Sequence, residues 1–328
     1  GGVGWWFHRF ADEEAETFGE YAPAILELLE EEQAVRHIDG RWYWARADAP
    51  APQINLRNIA GPVYTIQDEI NGRVIGTMDE VSVFTQLHDH AVYIHGAETY
   101  FVEKLDLEQK IAGVRKQDLE YYTQAVTSSE ITIDETEKQT PWHGGELGYG
   151  DVTVTTTVPM FKKLRFHSRE SLGFEKLELP PQYLETVAMW VTAPQEAVER
   201  MREQKMVVGE ALTGIANVLV EVAPIFVMCD PADVGTVVNA SCLGRDALFF
   251  YDRYPGGMGY ARRCLGCVDE IMETIHQVIR ECSCPDGCPS CVGAAVPAFA
   301  MSDLDTAVRG RIPNKEAARF LLENVLAD

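Results

Sequence analysis

Four cysteines fall within ten residues near the end of the sequence: Cys282-Ser-Cys284-Pro-Asp-Gly-Cys288-Pro-Ser-Cys291. A stretch this short, turned by Pro285, Gly287 and Pro289, has no core of its own, so something other than apolar burial must hold it. Four thiolates around one Zn²⁺ meet the ion's tetrahedral preference at about 2.3 Å each and leave no position open for a substrate. The spacing therefore predicts a closed, structural Zn²⁺ site on Cys282, Cys284, Cys288 and Cys291, whose binding energy is folding energy. An iron–sulfur cluster and unmetallated thiols are the competing readings. The completed zinc site would carry a charge of about −2, so it adds no cationic patch.

A rival set has to be weighed. Cys264-Leu-Gly-Cys267 with Cys288-Pro-Ser-Cys291 also fits a zinc-ribbon spacing. Against it, Cys264, Val268, Ile271, Ile275, Val278 and Cys282 fall on one 3.6-residue stripe, which places Cys264 and Cys267 inside an amphipathic helix as small hydrophobes. The turn residues serve only the compact set, which is the one favoured. All eight cysteines lie in the last third of the chain. A secreted disulfide scaffold would be short and cysteine-dense throughout, so reduced cytoplasm is the expected setting.

The chain has 328 residues, room for two or three domains at roughly 100–200 residues each. Its 51 acidic and 28 basic residues give a net charge of −23, which excludes a general polyanion sponge and confines any nucleic-acid contact to a local basic patch. The most apolar stretch, 206–228, is interrupted by Glu210, Asn217, Glu221 and Pro224 and reads as a buried core helix, not a membrane span. The start, GGVGWWFHRF, lacks the pattern of a signal peptide.

The expected architecture is α+β and multi-domain, in three parts. Residues 1–49 form a winged-helix-like unit: a helix over 21–33, then two strands around Asp39-Gly40. That helix carries Glu27, Glu30, Glu31 and Glu32, so a packing role suits it better than entry into a phosphate-lined groove. A Pro/Ala seam at 47–52 leads to residues 50–126, a small β-barrel of short strands with a hairpin at Asn71-Gly72. His88, Asp89, His90 and His95 in this unit lack ligand spacing and read as surface or barrel-end polar groups. A polar junction over 127–150 opens the third unit, 127–328, an α/β domain ending in the zinc loop. Its strands are expected over 151–157, 161–167, 187–191 and 247–252, its helices over 193–202, 206–227, 259–281 and 315–326.

Two further patterns could carry chemistry. Tyr251-Asp-Arg-Tyr-Pro-Gly-Gly-Met-Gly259 joins a strand to a helix, and Gly256, Gly257 and Gly259 either cradle a phosphate on backbone N–H groups or simply make a tight turn. It is neither a Walker A sequence nor a GxGxxG fingerprint. In Phe161-Lys-Lys-Leu-Arg-Phe-His167 a strand would put Lys163, Arg165 and His167 on one face, with Arg169 nearby, as a candidate nucleic-acid contact. The scattered carboxylates Asp230, Asp233 and Asp252 read as caps or turn formers.

Taken together, Ile54-Asn-Leu-Arg-Asn58, Arg73-Val-Ile-Gly76, Tyr121-Tyr-Thr123, Val227-Met-Cys-Asp230, the Tyr-Pro-Gly-Gly turn and the cysteine cluster resemble the C-terminal region of MrfA-like superfamily 2 DEAD/DEAH-box DNA helicases, which have eukaryotic RecQ-like relatives. The resemblance implies that Cys282, Cys284, Cys288 and Cys291 bind zinc, and that ATP and Mg²⁺ belong to motor domains absent here, since no GxxxxGK[ST] occurs and Asp68-Glu-Ile-Asn71 is not a DEAH box. It also implies a non-catalytic accessory role in DNA repair, with DNA and the protein's own motor domains as partners. The alternative is an acidic module that recruits a repair or defence protein.

Overall fold

The computed structural model describes residues 10–11, 22–46, 62–239, 242–293 and 313–326. The chain divides into two compact units, Gly1–Ile59 and Ala60–Asp328. In the first, helix α1 (Ala22–Glu31) precedes β2 (Val35–Ile38) and β3 (Arg41–Trp44), with the short β1 (Phe10–Ala11) on the far side of β3. Asp39 and Gly40 both take positive φ, 51° and 72°, the geometry a two-residue hairpin turn requires.

Among the described residues the second unit holds two sheets. The smaller has the order β5-β4-β8-β7-β6, built from β4 (Val63–Asp68), β5 (Val74–Asp79), β6 (Val92–His95), β7 (Glu98–Asp106) and β8 (Ile111–Lys116). Among the described residues β5 and β6 are not hydrogen-bonded to each other, but a Cβ on Gly76 of β5 would lie 3.7 Å from the His95 ring of β6, so the sheet curls toward the expected small barrel without a ladder to close it; the expected strand at 54–59 lies outside the described residues. Helix α2 (Glu80–Gln86), N-capped by the Asp79 carboxylate, closes its core with Val83 and Phe84.

The larger sheet is wholly antiparallel, which makes this part α+β and corrects the expected α/β arrangement. The difference follows from connectivity: hairpins and returns replace helical crossovers between parallel strands. Residues 127–150, expected as a polar junction, belong instead to two long strands, β9 (Tyr121–Trp142) and β10 (Gly145–Arg165). Their alternating Thr, Ser and Glu are the solvated face of a ladder rather than a linker. Strand β9 runs through position 126 without a break.

On its other edge β10 pairs with β11 (Ser171–Lys176) at one end and β12 (Gln182–Thr192) at the other; β14 (Ala247–Asp252) and β13 (Val234–Asn239) follow. The sheet curls into a half-barrel. Ile131, Val154, Trp190, Val237, Phe249 and Tyr251 fill its inner side, and the Cys242 thiol donates to the Ile131 carbonyl at 2.5 Å.

The outer side of β12 and β14 is covered by helices α3 (Gln195–Glu203), α4 (Val208–Val227), α5 (Tyr260–Leu265), α6 (Val268–Glu281) and α7 (Lys315–Val325). By length and composition α4 could cross a membrane, but 56% of its apolar window is buried in this core. The helix expected over 259–281 is two helices. Gly266 and Cys267 break it, and Cys267 leaves helical geometry at φ −135°, ψ 26°.

Two positions are sharply constrained. A Cβ on Gly148 would sit 2.2 Å from the Trp190 ring, to which it is register-paired. Gly148→Ala should therefore destabilise by about 2 kcal/mol, read as a lowered urea midpoint. Gly209→Ala, with open space on α4, should be neutral or stabilising. His88 is fully buried against Phe161, its rings 4.4 Å apart; its Nδ1 bonds the Asp89 carbonyl and its Nε2 has no partner. Burial holds this imidazole below its ordinary pKa, against the raising effect of that hydrogen bond and of the nearby Asp89 and Glu175. Because the folded form resists protonation, its contribution is complete above the unfolded value of about 6.5 and is lost as the pH falls below it. His88→Leu should accordingly flatten the fall in urea midpoint between about pH 7 and about pH 5.

Candidate metal centre

Helix α6 ends at Glu281, and the chain turns at once into the cysteine loop, with Cys282 as C-cap in extended geometry (φ −66°, ψ 130°). Gly287, at φ 121°, makes the reversal between the two cysteine pairs. The loop brings four sulfurs together: Cys282–Cys284 3.6 Å, Cys282–Cys288 3.6 Å, Cys284–Cys291 3.4 Å and Cys288–Cys291 3.7 Å. A tetrahedron of sulfurs about 2.3 Å from a central ion has edges of about 3.8 Å, so the set fits one Zn²⁺ with little adjustment. Cys264 is fully buried in the apolar core and Cys267 caps α6; neither joins the cluster.

The surroundings suit a thiolate site. The backbone N–H of Cys288 points at the Cys291 sulfur at 3.4 Å. The Cys288 thiol is brought down to about 7, chiefly by the hydrogen bond from the Ser290 backbone, while burial pushes Cys291 up to about 12.

A residue that motif reading missed completes the centre. Lys315, at the start of α7, is only 9% exposed, and its Nζ donates to the carbonyls of Cys282 at 2.6 Å and Cys284 at 2.8 Å. The ammonium satisfies two loop carbonyls and sets a positive charge beside a centre of about −2. Its spacing, 24 residues beyond Cys291, gives no local signal. The loop is pinned from a second direction by Asn217 of α4, whose Nδ2 donates to the Val292 carbonyl at 2.9 Å.

The glycine turn is organised by Asp252. This fully buried carboxylate accepts the N–H groups of Met258 at 2.6 Å, Tyr260 at 3.1 Å and Ala261 at 2.8 Å. The backbone donors a phosphate would need are thus directed at the chain's own anion, and Gly256, Gly257 and Gly259 supply positive φ for a tight strand-to-helix turn. A Cβ on Gly257 would meet Val187 at 2.3 Å. Asp230 caps the short turn Pro231–Asp233, and Asp233 accepts from Tyr254, so these carboxylates, like Asp252, are committed to backbone and turn hydrogen bonds.

The basic segment is divided. Lys163 and Arg165 lie on β10, but His167 and Arg169 fall in the turn that follows, both with positive φ (67° and 56°). Lys163 is ion-paired with Glu175, which also meets His90 at 3.3 Å, and Arg165 reaches Glu170 at 3.7 Å. Lys163 faces the smaller sheet rather than an open surface, with its Nζ over Tyr121 and Phe161 at 5.7 and 5.9 Å.

Elemental analysis of the purified chain should return one Zn²⁺, and Lys315→Met should weaken metal retention about tenfold in a chelator competition. Arg319→Met, which removes only the ion pair to Glu323 at 3.4 Å, should leave retention unchanged. A metal-free chain of equal heat resistance would contradict the assignment.

The MrfA Zn-binding domain family matches residues 215–292, from within α4 to just past Cys291. The ATP-dependent helicase YprA of Bacillus subtilis is 40% identical over 281 residues, 83% of this chain and 37% of its own. The ATP-dependent helicase HRQ1 of Saccharomyces cerevisiae is 24% identical over 287 residues, 82% of this chain and 26% of its own. The crystal structure of the DUF1998 helicase MrfA bound to DNA matches with a TM-score of 0.55 at 34% identity, covering 92% of this chain and 39% of that one. The chain thus spans well under half the length of each of these relatives. It carries an MrfA Zn-binding domain and is homologous to a portion of the MrfA, YprA and HRQ1 helicases.

Proposed function

We propose that this chain is a non-motor region of an ATP-dependent DNA helicase acting in DNA repair, and that it guides a DNA strand while motor domains elsewhere in the protein hydrolyse ATP. The observation that carries the reading is the closed four-sulfur centre within a match to the MrfA Zn-binding domain. Four sulfurs on one Zn²⁺ would fill its tetrahedral coordination, so the centre serves architecture and offers no site for chemistry. When bound, Zn²⁺ supplies the cross-link; Lys315 and Asn217 orient the loop that carries it. The same division of labour leaves strand contact to the long β9–β10 ladder. That MrfA was crystallised with DNA supports the choice of partner.

With a net charge of −23, the chain by itself should bind DNA weakly and with strong salt dependence. Fluorescence anisotropy with a labelled single strand should show binding at about 50 mM salt that falls steeply by about 200 mM, with no ATP hydrolysis by the chain alone. The same charge favours the second reading, an acidic module that docks a repair protein. Capture of a protein partner with no DNA binding at the lower salt would decide for it.

A further inference from the structure

We propose that the open face of the β9–β10–β11 end is a stacking platform for single-stranded DNA, centred on Tyr122, Lys162 and Phe174. The inference rests on the helicase reading above and adds the face and the residues. Register defines the face. Lys162 is paired with Gln124 on one side and Phe174 on the other, Leu164 with Tyr122, and Met160 with Lys176 and with Val126, which is buried and marks the covered end of the face. Directly opposed residues in an antiparallel sheet share a face, so these side chains lie together.

The reverse face is taken. Phe161 carries the His88 ring, Thr123 accepts the Val92 N–H at 2.8 Å, and Glu175 holds Lys163 and His90, so this side is fastened to the smaller sheet. Alternation thus sends Lys163 toward the smaller sheet and its neighbour Lys162 outward.

The open face has the composition that single-strand binding uses. Phe174 is 37% exposed, with Lys162 Nζ 5.8 Å from its ring centre. Tyr122 and Phe166 lie 5.5 Å apart at 37°. The paired strand positions of this face bear two lysines, Lys162 and Lys176, and no carboxylate, in a chain of net charge −23. Glu175 lies on the reverse side and Glu170 in the turn against Arg165, while Glu120, whose carbonyl accepts the Phe166 N–H at 3.0 Å, and Glu178 flank the platform just beyond the strand ends and confine the favourable charge to its middle.

Aromatic rings beside lysines bind unpaired bases by stacking and their phosphates by charge, with little sequence preference. A duplex, whose bases already stack on one another, cannot present those ring faces, which is why the occupant is a single strand.

The test is anisotropy of the whole chain with a labelled oligothymidine at about 50 and about 200 mM salt. Tyr122→Ala and Phe174→Ala should each weaken binding about tenfold without changing the salt slope. Lys162→Gln should lower that slope by about 0.7. Phe174→Leu, which keeps apolar bulk for folding but removes the ring, should weaken binding in the same direction. Lys138→Gln, exposed toward the other end of β9, should have no effect. Binding that survives the Tyr122 and Phe174 changes, or is lost only in Lys163→Gln, would overturn this face while leaving the helicase reading intact. Equal affinity for duplex would overturn stacking. No binding by the unaltered chain at the lower salt would remove both.

Discussion

Everything on the helical side of this protein converges on a buried ammonium. Lys315 of α7 reaches the carbonyls of Cys282 and Cys284, the two cysteines that immediately follow α6. A lysine this buried is costly unless its donors are satisfied and an opposing charge lies near. The carbonyls meet the first requirement and the sulfur-bound ion the second. The metal loop and the last helix therefore need each other: without the ion the ammonium loses its counter-charge, and without the ammonium two loop carbonyls lose their donor. Because α7 also supplies Ala318, Leu321 and Leu322 to the common core, this local dependence extends to α4 and α6.

Much of this was legible in the sequence because it is written in local spacing. The four cysteines with their intervening prolines and glycine, the Asp39-Gly40 and Asn71-Gly72 turns, and the strand Ala247–Asp252 each follow from residues close together in the chain. What failed to show depends on distant partners. The continuous stripe from Cys264 to Cys282 gave no warning of the break at Gly266, since both helices keep their apolar side to the same core. Residues 127–150 looked like a linker because a strand solvated on one face is as polar as a loop. The role of Lys315 is set by contacts made across more than thirty residues.

The basic segment shows a different limit. Alternation correctly separates Lys163 and Arg165 from Leu164, but period alone does not say which side meets solvent. Lys163 turns toward the smaller sheet, where Glu175, shared with His90, receives it, while Arg165 on the same side stays exposed at the strand end against Glu170. Asp252 makes a related point. A strand-end aspartate is an ordinary turn former, yet here one carboxylate gathers three backbone donors and so occupies the anion cradle that three glycines had seemed to offer.

The β9–β10 ladder is held in common by two separate cores. Near its turn, Trp142 donates to Asp269 of α6, and at its far end Phe161 and Val158 belong with the smaller sheet. Some twenty residues of paired strand reach roughly 70 Å when extended, but the pairing shifts register at Tyr149/Gly150, Asp151/Val152 and Thr157/Met160, and a bulge bends the strand that carries it and sharpens its twist. The last of these shifts lies where the ladder passes to the core of the smaller sheet. Any load carried from the smaller sheet toward the helix that leads into the cysteine loop therefore travels through a ladder with its bends built in at fixed places.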